Sequence, residues 1–154
     1  MRVRRENSAR TKGVSEMELK ELKAIADNTI NTLLEHDTEK YDFAIDALAD
    51  IPIRDYTMRY LYEQPEQRET IINALGELSE IKTTAHVHAV RAGGYWLDGK
   101  REETEAELKK AISADDQYSL ARLLSVALAH GVPAKVWADS LEHVTLDMCL
   151  AGAQ

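Results

Sequence analysis

The chain has 154 residues, of which 44% are apolar and 30% charged, with a formal net charge of −8. That balance fits one globular domain of ordinary size and excludes a disordered chain. Cys149 is the single cysteine, which excludes an internal disulfide and a Cys-rich zinc site and suits a reducing cytoplasm.

Residues 1 to 14 carry five basic side chains (Arg2, Arg4, Arg5, Arg10 and Lys12) against Glu6 and show no apolar periodicity. They read as a disordered basic arm with a net charge of +4, which leaves −12 on residues 15 to 154. No apolar core follows the arginines, so this is no secretory signal. No later run approaches the ~20 apolar residues of a membrane span. A body this acidic repels phosphate backbones, so only the arm offers nucleic acid a surface.

From Ser15 the chain reads as helices. Ser15 and Glu18 form a capping box ahead of Leu19, Leu22, Ile25, Ala26, Ile30 and Leu33, a stripe that ends near His36. Asp37 or Thr38 is expected to cap a second helix to about Asp50. Pro52 suits the first turn of a third, with Ile53, Tyr56, Tyr60 and Leu61 inward. A fourth runs from Pro65 to about Ser79, and Thr83 or Thr84 opens a fifth that reaches Leu97 and turns at Asp98-Gly99. The sixth, Arg101 to Ala114, is expected to bury Leu108, Ala111 and Ile112 and to expose Glu102, Glu103, Glu107 and Lys110. The seventh, Gln117 to His130, is apolar on more than one side and is expected at the centre of the core. Gly131 supplies a left-handed cap, and an eighth helix from Pro133 carries Trp137, Leu141, Val144 and Met148. The expected fold is all-α: one domain over residues 15–150, about eight helices joined antiparallel by short connections.

Residues 85 to 116 fall into tetratricopeptide register. Ala92 and Ala111 stand at small positions, Tyr95 and Leu108 at large ones, Gly99 at the turn and Asp115 at the close. The stretch resembles one such hairpin, although His88, Arg91, Thr104 and Asp116 stand where that family prefers Trp, Leu, Ala and Pro. A longer resemblance rests on D-A-L-A-D-I-P-I-R-D (46 to 55), on Ala89 to Gly99, and on A-I-S-A-D-D-Q-Y-S-L-A-R-L-L-S-V-A-L-A-H-G-V-P-A-K-V-W (111 to 137). From about Asp46 to Leu141 the chain is similar to the C-terminal helical half of an actinobacterial family, domain of unknown function 4192. The resemblance implies the fold and, with the small size, a phage- or plasmid-borne gene in an actinobacterial host. It implies no activity.

No catalytic constellation stands out. His86 and His88 point roughly 200° apart on a helix, which sets them against ligating one metal together; His88 is expected inside and His86 in solvent. Glu102, Glu103, Glu105 and Glu107 read as a solvated face. Cys149 lacks a partner that would activate it, and P-loop, G-x-S-x-G and G-x-G-x-x-G motifs are absent from the sequence. Gly93-Gly94, costing about 1 kcal/mol each against alanine in a helix, calls for a close helix contact.

The composition and pattern therefore point to a non-enzymatic protein-interaction module with no cofactor or metal. Tyr62, Tyr95, Trp96 and Trp137 are the candidate contact residues. Two alternatives stand beside it: a nucleic-acid-associated protein using the basic arm, and an enzyme whose site gathers His88, Tyr95, Asp98 and His130. Leu146, Met148, Cys149 and Leu150 exceed the needs of one helix stripe, so a homodimer through that end is also expected.

Overall fold

A computed structural model describes residues 15–151, which form nine α-helices and two short 3₁₀ turns, with no strand among the described residues. The basic arm lies outside the described residues. None of the described helices is long and apolar enough to cross a membrane.

Helix α1 spans Glu16–Glu35. Ser15 Oγ accepts from the Glu18 N–H at 3.1 Å and Glu18 Oε1 accepts from the Ser15 N–H at 3.4 Å, the expected box. Thr29 and Thr32 lie buried on its inner face, and each hydroxyl donates one turn back, to the carbonyls of Ile25 and Asn28. The helix stops at His36, a non-glycine residue in the left-handed region (φ +51°). There the N–H groups of His36 and Asp37 close onto the Leu33 and Thr32 carbonyls.

The second expected helix starts later than its sequence suggests. Thr38–Lys40 make a single 3₁₀ turn without a side-chain cap, and α2 spans Tyr41–Leu48. The Tyr41 hydroxyl donates to Glu77, which also bonds the His36 ring at 3.0 Å. This Glu77 bridge ties the end of α1 to α4. Helix α3 covers Ile51–Glu63, with Pro52 in its first turn. A 3₁₀ turn at Pro65–Gln67 leads into α4, Arg68–Ile81. Helix α5 (Ala85–Leu97) is capped by Thr84, and α6 (Arg101–Ala114) follows Gly99 at φ +71°. Helix α7 (Ser119–Ala129) ends on Gly131 at φ +75°, the expected cap. The eighth expected helix breaks in two, α8 (Ala134–Glu142) and α9 (Leu146–Leu150). Thr145 accepts from the Met148 N–H and restarts the chain in a new direction.

Buried side chains gather in two clusters. One joins α1 to α4 with α9 and one face of α5, through Leu33, Leu48, Ile53, Leu75 and Val90. The other joins the opposite face of α5 to α6 and α7, through Ala92, Trp96, Leu108, Ala111 and Leu124. Helix α5, rather than the expected α7, is therefore central: nine of its thirteen residues are buried. Its small side chains allow this. A Cβ on Gly94 would sit 2.9 Å from Ile72 Cγ1, and one on Gly93 would sit 3.1 Å from Trp137 Cζ2. The glycine pair is a site of close helix approach, as its cost in a helix implied.

Candidate interaction surface

Helix α7 carries more apolar side chains than its neighbours cover. It packs against α5 and α6 on one side only, burying Ala121, Leu124 and Leu128. Leu123 remains 66% exposed and Val126 58%. At about 100° per residue, the outward arc of α7 runs from Ser125 and Ala129 through Arg122 and Val126 to Leu123. Ser125 and Ala129 form one wall of a groove of about 300 Å³ between α6 and α7, with Leu108, Ile112 and Leu128 contributing apolar lining. Met17, Ile51, Ile81 and Val136 are exposed as well; what sets α7 apart is that the arc carrying Val126 and Leu123 has an apolar furrow at its other edge.

Helix α6, one wall of this groove, is fixed on α5 by buried charge. Glu107 is only 3% exposed, against the expectation of a solvated carboxylate. Its Oε1 meets His88 Nδ1 at 2.9 Å; its Oε2 accepts from Arg91 at 3.1 Å and from Lys110 at 3.3 Å. Arg91 continues to the Ile72 carbonyl at 3.0 Å, so α4, α5 and α6 share one network. Burial pulls the Glu107 carboxyl up, but the His88 hydrogen bond and the charges of Arg91, His88 and Lys110 outweigh it and hold the group below its ordinary range. A signal for this was present in the sequence. Glu107 falls three residues after Thr104 and four before Ala111, on the buried stripe, opposite an α5 face that offers His88 and Arg91.

His86 is also not in solvent. It is half-buried, with Nε2 2.7 Å from the Ile45 carbonyl. Burial lowers its pKa, so the ring stays neutral and donates to that carbonyl. The two histidines thus serve different partners on different helices.

The four candidate contact residues do not form one patch. Trp96 is 4% exposed and stacks on the half-buried Trp137, with centroids 5.8 Å apart and planes 11° apart. Packing against Trp137 and the α5–α7 cluster removes Trp96 from the surface. Trp137 Nε1 donates to the Gly93 carbonyl at 3.0 Å. Tyr62 is half-buried; its hydroxyl donates to Glu142 at 2.9 Å, and the Arg59 guanidinium lies over its ring. Tyr95, also half-buried, lies beneath Arg91 and Lys100. All four serve contacts within the chain.

The side chains grouped as a dispersed enzyme site are likewise engaged apart. His88 holds Glu107, Asp98 takes a 2.7 Å bond from Arg68, and His130 is exposed beyond α7. The apolar surplus at the C-terminal end is used internally. Cys149 and Leu150 are buried against the first cluster and Leu146 packs on it, leaving Met148 exposed. Burial pushes the Cys149 thiol up to about 11, so it is protonated near neutrality.

A second cleft, of about 240 Å³, lies between α3 and α8–α9, walled by Met58, Trp137, Leu141 and Val144. Its two arginines are already paired, Arg54 with Asp55 and Arg59 with Glu63. No net cationic pair is left there for an anionic ligand.

No curated protein and no solved structure matches this chain. A family does, and over more of the sequence than the resemblance reached: the match starts at residue 1 rather than near Asp46 and ends at residue 135 rather than Leu141. The earlier start agrees with the packing, since α1 shares the first core cluster with α3 and α4. Matched over residues 1–135, the chain belongs to the family described as Domain of unknown function (DUF4192).

Proposed function

We propose that this chain is a non-enzymatic protein-interaction module whose contact surface is the outer face of the α6–α7 hairpin. The observation that carries the reading is the exposure of Leu123 and Val126 on the outer arc of α7, whose other edge walls an apolar groove. Every other large apolar group of α5 to α7 is at least partly covered. Surface leucine and valine left at this density cost solubility, and occupancy by a partner offsets that cost. Support also comes from the rigidity of the α6 wall, which the Glu107 network fixes on α5 and which loses little order on binding. Hairpin packing of the tetratricopeptide kind, a cytoplasmic address and a phage- or plasmid-borne gene in an actinobacterial host belong to the same reading, on the sequence grounds given above.

The test is Leu123→Glu combined with Val126→Glu. Both sites are exposed, so the double variant is expected to keep wild-type helicity and to lose about 1 kcal/mol of stability or less. It is expected to lose the partner that the wild-type chain captures reproducibly from a host lysate. A variant that still captures that partner removes this face as the contact surface. A wild-type chain that captures nothing reproducible counts against the module itself.

A further inference from the structure

We propose that the groove between α6 and α7 takes an acidic amphipathic helix of a partner protein, so that the surface selects its occupant by charge as well as shape. This deepens the interaction reading and rests on it. The furrow between two neighbouring helices, floored by Leu108, Ile112 and Leu128, fits the apolar stripe of a third helix. Its charges favour one sign. Lys109 lines the α6 side, and Arg122 stands one turn before Ser125 on the α7 side. Neither forms an ion pair among the described residues, although most cations there do. The one carboxylate in the groove, Glu105, is held by Arg101 at 3.0 Å. Helix α7 has no Asp or Glu along its whole length.

The surrounding body, with −12 on residues 15 to 154, repels an acidic helix at long range, so the preference is local to Lys109 and Arg122 and shows where salt screens the rest of the surface. Charge arranged in this way sets orientation and partner choice more than raw affinity. A second copy presenting its own α7 fits poorly, because it would bring Arg122 towards Arg122 and Lys109.

Two synthetic amphipathic helical peptides serve as probes, with the same leucine stripe and with either glutamate or lysine flanks. Titrated into the full chain at about 0.15 M salt, where screening over roughly 8 Å mutes the acidic body but not contact pairs, the glutamate-flanked peptide is expected to bind roughly tenfold tighter, two exposed charge pairs being worth about that ratio together. The preference should shrink as salt is raised further. Lys109→Glu with Arg122→Glu should reverse it, and Ala129→Phe, which fills the groove from an exposed position, should weaken both peptides. Equal binding, no binding, tighter binding of the lysine peptide, or a preference that ignores the charge reversal overturns the proposal. So does sedimentation showing self-association that Ala129→Phe abolishes, since a second copy is then the occupant. If the charge preference fails while Leu123→Glu with Val126→Glu still loses the captured partner, only the acidic-helix assignment falls. If the captured partner ignores that variant, the interaction surface falls whatever the peptides do.

Discussion

Replacing Glu107 with alanine is expected to destabilise the fold by about 3 kcal/mol or more, the range for removing one partner of a buried charge pair. His88 is 4% exposed, and the Arg91 side chain is 18% exposed. Without the carboxylate, the His88 ring loses its hydrogen-bond partner and the guanidinium its counter-charge. The pH dependence has a fixed sign. The folded-state pKa of Glu107 lies below its ordinary value of 4.5. Its stabilising share is therefore complete above that value and is lost as pH falls through the lower folded value. Denaturant melts of wild type and variant should differ most near pH 7 and converge in strong acid. A difference under about 1 kcal/mol at pH 7 would contradict a desolvated pair, as would one that does not change with pH. Replacing His88 and Glu107 together by apolar residues should cost less than the two single changes summed, because no lone buried charge is created between that pair.

Trp137→Ala is the second large effect, about 3 kcal/mol, in the usual range for truncating a packed tryptophan. Trp137 touches both core clusters. It stacks on Trp96, fills the space left by Gly93 and donates to the Gly93 carbonyl. Removing it should do more than lower the midpoint: unfolding followed by Trp96 fluorescence and by helical circular dichroism should no longer coincide. Trp137→Phe keeps an aromatic ring but loses the donor, a change of about 1 kcal/mol. If Trp137→Ala costs as little as the phenylalanine change and the transitions still coincide, the indole is not what joins the clusters.

The elements that the sequence made plain are those set by local chemistry. The Ser15–Glu18 box, the left-handed Gly131 and the bounds of α6 each depend on residues within one or two turns of the chain. What it left obscure depends on what lies across from a helix. Periodicity gave α7 an apolar circumference, which suits a central helix and an uncovered one equally well; only the placement of α5 between the clusters separates the two. Local pattern places His86 in solvent, because what covers it, the Ile45 carbonyl, lies some forty residues away. Charge alone places Glu107 there too, although its position on the Thr104–Ala111 stripe argues otherwise. Of the contact surface, Leu123 and Val126 were visible only as part of an apolar run. The aromatic residues that looked like contacts are engaged inside the chain.

The one-sided attachment of α7 also has a kinetic meaning. Helix α6 packs far more on α5 than on α7, so α7 alone can lift away while the α5–α6 pair and the α1–α4 cluster stay closed. Partial opening of this kind costs less than global unfolding. Amide hydrogens of α7 should therefore exchange with solvent well before those of α4, whose inner face is sealed by Ile71, Leu75 and Leu78. An occupant of the groove would clamp the flap, and its binding would register as slowed exchange along α7.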